Sequence, residues 1–294
     1  MKDFTFNRIY VIESLDESKE KLTGKELYDD LLRWKEFTYN GKLKTELLQV
    51  KNKQHFLDAL NDIKEECVIG GHHPILHFEV HGNEMKDGLI VQSGEIITWD
   101  ELRNYLVDLN YHIGNNLFLT LAVCHGAHLM QIMRIDKPAP FCGFIGSFET
   151  IYSSDLLISY NEFYQEFLSS LKLDIAFKRL TEANPSIPST YRFISAQDIF
   201  RKIYIDYLHN QMSKEGIKNR IQQIIQKNPL SFANRNEKRI FCRNFKKQLL
   251  NTKEKYYKEH SDAFFMLSEY PENRERFNVP ERLNDFVKLY GIPN

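Results

Sequence analysis

Asn116-Leu117-Phe118-Leu119-Thr120-Leu121-Ala122-Val123-Cys124-His125-Gly126 is almost continuously apolar up to Val123 and then breaks at a Cys-His-Gly turn. A short apolar run bounded by turn residues is the mark of a strand buried on both faces, and such strands belong to parallel sheets covered by helices. Outward from this run the same alternation continues. Pro74–Gly82 reads as a strand ending in a turn, and Arg8–Leu15 and Thr45–Val50 as two earlier strands. Phe141–Gly146 and Tyr191–Ser195 supply two later ones. Helix-length segments separate them: Gln54–Glu66 has Phe56, Leu57, Leu60 and Ile63 at helical spacing, and Tyr160–Leu173 is similar. Thr23-Gly24-Lys25-Glu26 reads as a capping box opening a helix with Leu27, Leu31 and Trp34 on one face. Thr98-Trp99-Asp100-Glu101 reads as another, running through Leu109. Asp87-Gly88 and Ser93-Gly94 flank Leu89-Ile90-Val91 as hairpin signals. The fold class expected is therefore α/β, a mostly parallel sheet with helices on both faces. From Ala196 onward the pattern turns helical, which predicts a division into 1–195 and a helical region 196–294.

Composition excludes several classes. With 294 residues, 42% hydrophobic and 27% charged, the chain is neither disordered nor fibrous. No run approaches the ~20 apolar residues of a spanning helix, and the charged start Met1–Arg8 does not read as a signal peptide. Four cysteines, Cys67, Cys124, Cys142 and Cys242, form no CxxC and no disulfide framework; a reduced, cytoplasmic protein without a membrane partner is expected. Phosphate-loop motifs are lacking, so neither an ATPase nor a dinucleotide enzyme is expected. His77, Glu79 and His81 alternate on one strand face near His125 and His128, but His-x-Glu-x-His is not a zinc signature, and no metal or other cofactor is expected.

The formal net charge of −1 conceals a segregation. Residues 201–258 carry 15 lysines and arginines against four acids, a net +11, and the rest of the chain is −12. A solvated helical face is the plain reading; a docking face for something anionic, the acidic remainder of this chain, an acidic partner protein, a small nucleotide or nucleic acid, is the sharper one. Without base-stacking motifs, nucleic acid is disfavoured as a partner.

Ligands collect beyond the carboxyl ends of parallel strands, and there His81 closes one strand while Cys124 closes another 43 positions later. A thiol attacks carbonyl carbon as thiolate and needs an imidazole to take and return its proton. A glycine after each, Gly82 and Gly126, allows close backbone approach to a substrate.

The segments Leu76–Gly82, the hairpin to Gly94, Trp99-Asp100-Glu101-Leu102 and Leu119–Gly126 resemble caspase-like cysteine peptidases. That group includes caspases, metacaspases, separase and prokaryotic CHAT-type proteases; the nearest resemblance is to bacterial caspase-like proteins, several of which serve anti-phage defence. The spacing of 43 is similar to the about 50 of caspases. The resemblance spans roughly residues 8–200 and is specific over 74–126. It implies Cys124 as nucleophile, His81 as acid/base, and the backbone N–H groups of Gly82 and Cys124 as oxyanion hole. It further implies a thioester acyl-enzyme, protein or peptide substrates, and activation by a signal such as a partner protein or nucleotide. The chain departs from caspases at Ala122, where they carry a Gln of the pocket for a substrate Asp. Its loop after the first strand holds Asp16 and Glu17 but no Arg, and Glu149 and Asp155 follow the fifth sheet strand. An acidic pocket of Asp16, Glu149 and Asp155 would select Lys or Arg before the cut. The alternatives are a non-catalytic binding module, a cysteine acyltransferase or amidase with the same dyad, and an effector gated by an anionic nucleotide through its basic region.

Overall fold

A computed structural model describes residues 4–186, 188–227 and 232–290. The chain divides into two compact units, Met1–Met133 with Ala139–Ala196, and Arg134–Pro138 with Gln197–Asn294.

The first unit is α/β. Its main sheet has the order β2 (Lys44–Gln49), β1 (Arg8–Ser14), β3 (Pro74–Gly82), β6 (Phe118–Ala122), β7 (Gly143–Ser147), β8 (Tyr191–Ser195). All neighbours run parallel except β8, which is antiparallel to β7. The apolar run that suggested a doubly covered strand is the central β6, buried along its whole length. β4 (Gly88–Ile90) and β5 (Ile96–Thr98) form a side hairpin grown from the end of β3. Helices α3 (Lys53–Gly70) and α4 (Trp99–His112) connect the strands, and α5 (Ser153–Ser170) and α6 (Leu173–Glu182) lie between β7 and β8. Capping fixes two of these starts. Asn52 Oδ1 accepts from His55 N–H before α3, and Thr98 and Glu101 make the reciprocal capping box before α4.

Three local expectations are corrected. Thr23 is not a cap: it lies inside α1 (Thr23–Leu27), and its hydroxyl donates to Glu79 Oε2 at 2.8 Å. A buried carboxylate is a stronger acceptor than a helix end is a claimant. Nor do Leu27, Leu31 and Trp34 share a buried face. A π-helical turn, Tyr28–Leu32, separates α1 from α2 (Arg33–Thr38), so Leu27 and Leu32, five apart, are buried while Trp34 is 53% exposed. The helix expected over 160–173 starts earlier and is two helices, broken at Leu171, which adopts left-handed φ of 57°.

The second unit is helical: α7 (Ala196–Gln211), α8 (Lys214–Lys227), the 31-residue α9 (Arg235–Phe265), and the short α10 (Asn273–Arg276) and α11 (Leu283–Leu289). Its core is aromatic, with Phe200, Tyr204, Tyr257, Phe264, Phe265 and Phe286 in mutual ring contact. A second apolar cluster joins Met212, Ile217, Ile221 and Leu249. No helix among the described residues is long and apolar enough to cross a membrane.

Candidate active site

The parallel register brings the two reactive residues to adjacent strand ends. Glu79 of β3 pairs with Ala122 of β6 as the last matched residues, and His81 and Cys124 each lie two positions beyond. Gly82 is packed against the Cys124 backbone so closely that a Cβ there would fall 1.6 Å from the Cys124 carbonyl oxygen. Only glycine lets these chain segments meet. The turn at Cys124 is sharp: Gly126 N–H donates to Val123 C=O, and His125 takes left-handed φ of 60°.

His81 is half-exposed, and Glu20 holds it through contacts of Nε2 to Oε1 at 3.0 Å and to Oε2 at 2.9 Å. Glu20 is itself placed by its own loop, because Oε1 accepts from Asp16 N–H at 3.0 Å. Glu20 is the residue sequence reasoning missed; the signal for it was topological, since the loop leaving β1 must pass beside the end of its neighbour β3. The thiol of Cys124 faces the segment after β7. Its Sγ accepts from Ile151 N–H at 3.4 Å and donates to Ile151 C=O at 3.7 Å. No hydrogen bond joins His81 and Cys124 in this arrangement. Pairing with Glu20 through Nε2 leaves Nδ1 as the ring nitrogen available to the thiol.

His125 is not a second candidate base. Its Nδ1 bonds Phe148 C=O at 2.8 Å and its N–H bonds Glu149 C=O, which ties the cysteine turn to the segment after β7. The three acids expected to share a pocket are apart in role. Asp16 is neutralised locally: hydrogen bonds from Lys19, then Ser18, lower its pKa to about 2. Glu149 is exposed, and its backbone does the bonding. Asp155 alone of the three lines a cavity of about 90 Å³ beside Ile151, with Ser159, Asn184 and Tyr191 among its walls. Asn184 Nδ2 donates to Asp155 Oδ1 at 2.7 Å. Tyr191 is buried, with its hydroxyl beside Ser159. Burial holds that phenol protonated, and the nearby charges of Glu79 and Asp155 act in the same direction.

Behind the strand ends lies a buried polar chain. Tyr164 and His77 Nδ1 meet at Thr120 Oγ1, at 2.7 and 2.8 Å; His77 Nε2 meets Glu79 Oε1 at 3.1 Å, and Thr23 closes on Glu79 Oε2. His77 and Glu79 thus share the face that the alternation implied, but as packed core, while His81 turns outward to Glu20. Among the described residues no three His, Cys, Asp or Glu side chains gather as a metal site. Cys67 and Cys142 are buried, and burial pushes the Cys67 thiol up to about 12. Cys124 and Cys242 are partly exposed, and Cys124 Sγ lies on Ile151 N–H, at the edge of the cavity that Asp155 lines. No protein-family model matches this chain, and no curated protein matches it.

Proposed function

We propose that the protein is a cysteine endopeptidase in which Cys124 is the nucleophile and His81 its acid/base. The observation that carries this reading is the placement of both residues just past the paired ends of β3 and β6, with Gly82 pressed on the Cys124 backbone. His81 takes the thiol proton through Nδ1 as substrate enters, an adjustment expected of a free site. The thiolate adds to the peptide carbonyl, and the oxyanion is received by the N–H groups of Gly82 and Cys124. His81 returns the proton to the leaving amine, and water then cleaves the thioester, regenerating the thiol. Glu20 fixes the imidazole and offsets its transient positive charge. It is a positioning residue, since it touches His81 and not the reacting atoms.

The cavity beside Ile151 receives the substrate side chain before the cut. Its Asp155 carboxylate is an acceptor suited to a Lys or Arg head. A fluorogenic peptide panel tests both parts. Lys or Arg substrates are cleaved, and Cys124→Ala, with unchanged circular dichroism, abolishes turnover. Cleavage that survives in Cys124→Ala removes the mechanism, and cleavage only after Asp removes the pocket assignment.

A further inference from the structure

Helices α8 and α9 enclose a groove of about 740 Å³ that lies wholly in the second unit, and it is built like a receptor for a helix. Its α8 wall carries Ile217, Ile221 and Ile225 at a spacing of four, a continuous apolar stripe. Ile217 and Ile221 root the stripe in the Met212–Leu249 cluster, and Ile225 is only half-buried, so the floor is anchored yet open. Cys242 adds an apolar spot on the α9 side. Around this floor stand Lys214 and Lys218 on α8, and Lys238, Arg243 and Lys246 on α9, all exposed. No acid lines the groove, and none of the five cations makes an ion pair among the described residues.

These features choose among anionic occupants. A nucleotide needs a stacking face or a cluster of backbone donors for phosphate, and among the described residues the lining holds no aromatic ring. Nucleic acid would bury polar backbone on an isoleucine floor and leave that floor unused. The stretch from Lys214 to Gln226 rises about 18 Å along α8, the length of some 12 helical residues. We propose that this groove binds an amphipathic helix of a partner protein, its apolar stripe on Ile217, Ile221 and Ile225 and its flanking Asp or Glu on the five cations. The proposal goes beyond the peptidase reading and does not depend on Cys124.

The probe is a synthetic 14-residue helical peptide with Leu at positions i, i+4 and i+8 and Glu along both flanks, titrated into the full chain. A scrambled peptide of the same composition is the control. Expected are a binding at least tenfold tighter than the scrambled peptide, and a loss of at least tenfold in Lys218→Glu/Arg243→Glu, whose altered residues are exposed. Alkylation of Cys242, read by mass spectrometry, should slow at least fivefold under the peptide, while that of Cys124 is unchanged. Equal binding of the two peptides, no binding at 100 µM, no protection of Cys242, or preferential binding of oligo-dT or anionic vesicles would each overturn it.

Discussion

At the scale of single residues, the site depends on contacts made by Glu20 and on an absence of side chain at Gly82. The Glu20 carboxylate reaches His81 from a position 61 residues away in sequence. Glu20→Ala is expected to lower kcat by about tenfold or more with little change in KM, because imidazole orientation contributes to proton transfer and not to substrate affinity. Glu20→Asp should recover part of the loss. A change confined to KM, measured on the same fluorogenic peptide, would contradict the positioning role. The nearness of His81 and Cys124 was legible from sequence because both lie where a strand of the parallel sheet gives way to a turn. Glu20 was not, because nothing in a loop of several acids says which one faces the neighbouring strand. Asp16, the more conspicuous acid, is spent on Lys19.

At the scale of elements, Thr23 and Thr98 show what a capping pattern can and cannot say. Both head a Thr-x-x-Glu motif, yet Thr98 caps α4 while Thr23 is drawn into the core by Glu79. Local sequence carries the cap geometry, but the competing acceptor arrives from β3, 56 residues on. Thr98→Ala should cost about 1 kcal/mol through loss of a helix cap. Thr23→Val should cost about 1–3 kcal/mol by leaving a buried carboxylate short of a donor, with denaturant midpoints as the measure. The end of β1 adds a pH signature. Burial raises the Glu13 pKa, against opposing hydrogen bonds from Gln49 and Lys25. A folded-state pKa above the unfolded one means that this group favours the fold below the unfolded value, and that the advantage is lost as pH rises through the folded value. Glu13→Gln should therefore raise Tm at pH 7, and the gain should shrink toward pH 4; a pH-independent difference would refute it. The succession of strands and helices was readable from alternation, whereas the π-helical turn was not, since its signal is the tertiary burial of Leu27 and Leu32.

At the scale of the molecule, a net charge of −1 is a poor description of how the surface meets its surroundings. The +11 block falls in the helical unit, on α7, α8 and α9, and among the described residues the ion pairs seen for its cations are those of Arg201, Lys255 and Lys258. Segregated charge steers binding even when the total is near zero. The chain should therefore be retained on a cation-exchange matrix at pH 7 and low salt, eluting as ionic strength shortens the screening length. A triple change, Lys218→Glu, Arg243→Glu and Lys246→Glu, should abolish the retention, and elution in the void volume by the unmodified chain would show the charge to be dispersed. The helical character of this region was legible from composition and periodicity. Its groove was not, because a groove is a relation between α8 and α9 and neither helix alone displays it.

The two tryptophans give this molecule an optical handle. Trp34 is exposed on α2 and Trp99 is 4% exposed, with its indole N–H on Lys86 C=O in the turn that follows Gly82. In Trp34→Phe, the emission comes from one buried indole clamped to the loop beside His81. Its wavelength and its access to quenchers then report, in real time and without any substrate label, on whether that loop stays closed or loosens.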